Sequence, residues 1–258
     1  MFQLPVLFML ISIFLYSLFP LVGVFGTGEI SGFAFAGLSH MLSAAVSLLG
    51  ALMLSGTSTE YGFRRLFHDL REDRSALRQA VLSGISNYLS HALLFVSFVY
   101  ISKASATIVF DVWPILAIFF FVALARPLGD VALATKPATI GKRVYFLSLV
   151  AFLGMVVIML GDLNLYDLLN DVRGMSSLFD AKIGLVLAIL SAVLMAYSVA
   201  LGRNTRLFVQ DKYGACESRS AQLHLALLAS AATKIFGALG FLLTIPFLPN
   251  FFPAVTSM

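Results

Sequence analysis

Asp111 stands inside SKASATIVFDVWPILAIFFFVALAR, three residues before Pro114, in a run otherwise fit for lipid. Asn87 and His91 stand four residues apart in GISNYLSHALLF, so on a helix they share a face with Ser83, Ser90 and Ser97. His40 falls in SHMLSAAVSLLGALML and Lys234 in SAATKIFGALGF, while Tyr16 and Tyr197 lie in two further apolar runs. An ionisable group at membrane depth is costly, so each of these residues is a candidate for a substrate or proton pathway. Asp111 must meet a cation or hold a proton; Lys234, His91 and His40 are the cations available. An acid titrating near neutral pH can couple proton movement to transport. Pro114 has no N–H for the carbonyl of Phe110, and a freed carbonyl survives in a membrane only against protein or a wet cavity. Trp113, between acid and proline, suits packing or a flat surface for a solute.

These side chains need apolar helices to position them. The 258 residues are 60% hydrophobic and 12% charged, with mean hydropathy +0.95. A soluble domain carries about 25% charged residues, so lipid is the solvent for most of this chain. Seven stretches reach the length of about 18–25 residues that a bilayer core requires: 4–24, 32–54, 79–101, 104–124, 144–161, 183–201 and 223–247. The first lacks a basic leader and is too long for a signal core, so it is expected to be a mature transmembrane helix. Only Ser102 and Lys103 separate the third and fourth, which predicts a tight helical hairpin.

Thirteen of the seventeen Lys and Arg fall in alternate connections, among them Arg64, Arg65, Arg71, Arg74, Arg78, Arg203, Arg206 and Lys212. That asymmetry predicts an N-terminus in the cytoplasm and, after seven crossings, a C-terminus outside. It also accounts for the net charge of +4 as topology and headgroup contact; no nucleic-acid module accompanies it. Residues 162–182 form the longest external connection, where a short interfacial helix is expected. The single cysteine excludes an internal disulfide, and no metal or cofactor motif is present. G-x-S-x-G, H-E-x-x-H and a Walker lysine are missing, so no enzyme is predicted.

At 1.5 Å per residue, His40, Asp111, His91 and Tyr16 lie about 10–15 Å below the outer helix ends, in one layer. Three motifs extend the pattern: ISKASATIVFDVWPILAIFFFVAL, the glycine-ended FLGMVVIMLGD, and DAKIGLVLAILSAVLMAYSVALGRN. Together they resemble the EamA domain of the drug/metabolite transporter superfamily. The resemblance implies an all-α polytopic bundle of two inverted repeats with the solute site at the midplane between them. Internal pairs agree: Tyr16-Ser17 matches Tyr197-Ser198, and aligning 39–54 with 233–247 sets His40 opposite Lys234. The family often has arginine there; two other cations still fit a cavity for anionic or zwitterionic ligands. The family has ten helices, so the expected organisation is a first five-helix repeat at 1–161, an external loop at 162–182, and an incomplete second repeat at 183–258.

The function expected is secondary-active transport, by export, of small metabolites or amphipathic compounds across the plasma (inner) membrane, with proton coupling through Asp111 and His91. The incomplete repeat calls for a second copy or a complementing subunit, and the alternative is an inactive or partner-dependent fragment. A heptahelical receptor with a retinal lysine is disfavoured because its N-terminus would lie outside.

Overall fold

A computed structural model describes residues 32–54, 62–124, 175–213 and 219–245, together with 146, 150, 153 and 154. The expected segment 4–24 with Tyr16, most of 144–161 and residues 162–174 lie outside the described residues. Within them there are seven helices and no strand: α1 Gly32–Leu54, α2 Phe63–Glu72, α3 Arg74–Ser97, α4 Lys103–Phe110, α5 Trp113–Leu124, α6 Met175–Tyr213 and α7 Arg219–Thr244. Four helices are long and apolar enough to cross a membrane, over Gly32–Met53, Arg74–Ser97, Lys182–Tyr213 and Gln222–Thr244.

The bundle is built around α3, which packs along α6 more extensively than any other two helices pack, and also along α7 and α1. Small residues make this closeness feasible. A Cβ on Gly84 of α3 would run into the carbonyl of Thr233 and approach the Gly237 nitrogen of α7 to 2.7 Å. Gly37 of α1 lies directly over the ring of Phe241. Ala34, Ala36, Ala44 and Ala51 turn inwards along α1, while Leu38, Leu42, Val46, Leu49 and Met53 stay exposed on its other side. Small residues between helices with large apolar ones outside are the pattern of helices that associate in lipid.

Serine joins α3 to α6. Ser83 Oγ donates to the Ser198 carbonyl (2.9 Å) and Ser198 Oγ to the Ser83 carbonyl (2.8 Å). One heptad on, Ser90 donates to the Ser191 carbonyl (2.9 Å) and Ser191 to that of Ser90 (2.7 Å). The residue numbers rise along α3 as they fall along α6, so the two helices run antiparallel. The polar stripe expected on α3 therefore faces the interior, and its serines at 83 and 90 hold helices together.

Two expectations change here. The run 104–124 is two helices. Around Asp111 the backbone tightens: Val112 N–H donates to Val109 at 3.3 Å and Ile115 N–H to Val112 at 3.0 Å. Pro114 then sits in the first turn of α5, where a missing N–H is harmless. The hairpin connection also spans 98–102, longer than expected, because α3 ends at Ser97 in successive turns. Ser102 caps α4 by accepting from the Ser105 N–H, and α4 then contacts α6 more extensively than α3.

The third change is at the ends of α6. It starts at Met175, within the expected external loop, and runs 39 residues, about 58 Å. That is nearly twice the hydrocarbon thickness of about 30 Å. Its later turns carry Arg203, Arg206 and Lys212 and meet α2, a helix absent from the sequence expectation. Leu66 and Leu70 of α2 pack with Val209 and Tyr213 of α6 and Leu225 and Leu228 of α7. Buried Asp69 accepts a 2.7 Å hydrogen bond from the Tyr213 hydroxyl, and Asp73 caps α3 through the Ser75 and Ala76 N–H groups. The Arg-rich segments thus gather at one end of the bundle. Lys103 and Lys182 belong to the other, where Gly184 packs against Tyr100 and Ile101.

Candidate functional site

Near the middles of α3 and α7, basic side chains from α1 and α7 converge on the side-chain amide of Asn87, beside a third basic side chain from α3 itself. His40 of α1 places Nε2 2.7 Å from Asn87 Oδ1. Lys234 of α7 donates from Nζ to the same oxygen at 3.0 Å. His91, one turn beyond Asn87 on α3, sets its Nδ1 2.9 Å from the Asn87 main-chain carbonyl. The two imidazole rings lie 5.3 Å apart at a steep angle. The other side of the Asn87 amide reaches α6, where Nδ2 donates to Met195 Sδ at 3.4 Å.

Local sequence explains each placement. Residues 87 and 91 share a face of α3, and their side chains point towards α1 and α7 because the serines one step round the helix are held by α6. His40 is fixed from its own helix: Nδ1 lies 2.9 Å from the Ala36 carbonyl, four residues back. Gly237, one turn after Lys234, makes room for it, since a Cβ there would stand 2.8 Å from His40 Cδ2. Tyr88 packs its ring 6.0 Å from that of His40 and ties its hydroxyl to Thr244 Oγ1 of α7 at 2.8 Å. His40 and His91 are buried, whereas Asn87 and Lys234 are half-buried.

Of the residues singled out in the sequence, His40, Asn87, His91 and Lys234 come together. Among the described residues no ion pair joins Asp111 to Lys234 or His40. Asp111 is half-buried in the turn between α4 and α5, next to Phe110, whose ring lies 6.1 Å from that of His91. Tyr197 faces α5, where its ring meets Phe120 at 5.6 Å. Trp113 packs against the cluster of Leu94, Phe110 and Met195, and Pro114 is exposed.

Sequence reasoning missed Met195 and Gly237, whose parts depend on the crossing of helices rather than on residue type. It also passed over His68 and Glu72, an i, i+4 pair on α2 that with Asp69 sets three ligand-type atoms within 4.8 Å of one another. His68 and Glu72 point into solvent, and Asp69 gives one oxygen to Tyr213.

A bundle with four membrane-length helices around a buried basic centre defines a helical membrane protein. Comparison with protein-family models, with curated proteins and with solved structures finds no match.

Proposed function

We propose that this chain is a secondary-active membrane transporter of small anionic or zwitterionic solutes, with its solute site at His40, Asn87, His91 and Lys234. The observation that carries this reading is the convergence of His40 and Lys234, from two different helices, on the Asn87 side-chain oxygen beside His91, with no carboxylate paired to His40 or Lys234 among the described residues. A buried cation without a counter-charge is expensive, and a mobile anion supplies that charge in a way a structural ion pair does not. The Lys234 ammonium has three N–H groups, and its hydrogen bond within the described residues uses one. The remaining donors suit a carboxylate or phosphate oxygen.

The resemblance to the drug/metabolite transporter superfamily fits this reading, with seven crossings, inverted repeats, export across the plasma membrane and a cytoplasmic N-terminus. The gathering of Arg-rich segments at one end supports the orientation. The test is flux into and out of proteoliposomes, with and without a pH gradient, for monocarboxylates, phosphate esters, zwitterionic amino acids and an organic cation. Saturable movement of acids or zwitterions that is lost in Lys234→Met is expected. Transport of the cation alone, or of nothing by well-folded protein, removes the reading.

A further inference from the structure

We infer that the site binds its anion together with a proton, held on His40 Nε2 and switched by rotation of the Asn87 amide; this rests on the proposed anion site. The reasoning is a count of donors and acceptors. His40 Nδ1 faces the Ala36 carbonyl at 2.9 Å and Nε2 faces Asn87 Oδ1 at 2.7 Å. Both partners are acceptors, and a neutral imidazole has a single N–H. Imidazolium satisfies both. In this arrangement Lys234 donates to the same Oδ1, so two cationic donors share one oxygen deep in the bundle.

No described acid answers them. The groups facing His40 are Lys234 from α7 and Asn87, Tyr88 and His91 from α3; α6 brings Met195. Asp111 follows Phe110 at the end of α4, and no ion pair joins it to His40 or Lys234. Two like charges this close in a medium of low dielectric repel strongly. The doubly charged arrangement is therefore the one an anion stabilises.

When the anion leaves, the Nε2 proton leaves with it. His40 keeps Nδ1–H on the Ala36 carbonyl, and Nε2 becomes an acceptor. Asn87 then turns its amide so that Nδ2 donates to Nε2, which withdraws Oδ1 from Lys234. The balance is one N–H bond formed at Nε2 from a solvent proton for each monoanion bound, and the same bond broken on release. Movement of solute and proton together is electroneutral. It responds to a pH difference and not to membrane potential, and an acid accumulated on one side leaves with its proton.

The test uses the full chain in nanodiscs, in weakly buffered solution near neutral pH, titrated with sodium gluconate. Binding is read by calorimetry and proton uptake by an indicator dye. Uptake of close to one proton per gluconate bound is expected for the wild type. His40→Arg, which carries a fixed charge, is expected to lose that uptake per gluconate bound, whatever its affinity. Binding by the wild type without proton uptake overturns this inference and leaves the anion site standing. No binding of gluconate overturns both. Histidine ¹⁵N spectra without ligand add a check that needs no variant: a His40 ring protonated on Nε2 alone at high pH also overturns it.

Discussion

At the scale of single residues the centre turns on Asn87, an amide chosen where either a carboxylate or an apolar group would fail. Its oxygen serves two bases while adding no charge of its own. Replacing it with aspartate supplies the missing anion permanently. Asn87→Asp is therefore expected to raise resistance to denaturation by about 1.5–3 kcal/mol, as hydrogen bonds to charged groups contribute, while abolishing binding of anionic probes. Chemical unfolding and calorimetry on the same preparation check both halves; a variant that still binds gluconate normally contradicts the placement of the site. Asp111 now has a different standing from the one its sequence context gave it. No ion pair joins it to His40 or Lys234, so Asp111→Asn is expected to leave proton uptake per gluconate unchanged, against its loss in His40→Arg. Dye measurements on the two variants side by side decide which group carries the proton.

Among the elements, α3 and α7 determine how close the site can draw together. Gly84 and Gly237 let their backbones cross with a near contact, and the Lys234–Asn87 bond depends on that approach. Gly84→Ala forces the carbonyl of Thr233 and the Gly237 nitrogen aside. Overpacking of this kind costs about 1–3 kcal/mol, and the same parting lengthens the reach from Lys234 to Asn87. Lower stability and weaker anion binding are both expected in this variant. Gly62→Ala, where an added methyl meets nothing within 4 Å, is expected to change neither. The helices themselves were legible as apolar runs, and 32–54 coincides with α1 to the residue. The break at Asp111 was only half legible: Pro114 marked a weak point, but the turn forms ahead of it, where the ring spares α5 an N–H it could not bond. Helix α2 was hidden because Arg64, Arg65, Asp69, Arg71 and Glu72 make it read as a charged loop; its burial of Leu66, Asp69 and Leu70 depends on α6 extending past the apolar region to meet it.

For the whole molecule, the basic side chains are divided unevenly between the two ends of the bundle. Arg64, Arg65, Arg71, Arg74 and Arg78 gather with the late turns of α6 at one end, and Lys103 stands at the other. Cysteines placed singly at Arg65 and Lys103 in a Cys216→Ser background are expected to label from opposite sides of right-side-out vesicles. An impermeant maleimide should reach position 103 in intact vesicles and position 65 only after permeabilisation; the reverse pattern inverts the topology. The site's membership was legible to the extent that polarity at membrane depth is conspicuous: His40, Asn87, His91 and Lys234 were all apparent as residues. Their geometry was not, because which of several polar side chains meet depends on helix rotation, and a pattern apolar on nearly all sides leaves rotation unspecified. Tyr197 illustrates this, turned to Phe120 rather than to the centre.

The paired serines of α3 and α6 have a mechanical consequence. Four hydrogen bonds, two at each of two levels a heptad apart, all connect one helix to the other's backbone. A slide of one residue in either direction breaks all four at once, so there is no gradual path along this contact. The two helices behave as a single strut. Between α1 and α7 the contacts are of glycine against a ring, and Ser47 and Ser230 meet there at 3.5 Å. Any opening of the centre to one side of the membrane is then a tilt of α1 and α7 against a fixed strut, with Asn87 on the stationary part and His40 and Lys234 on the moving one.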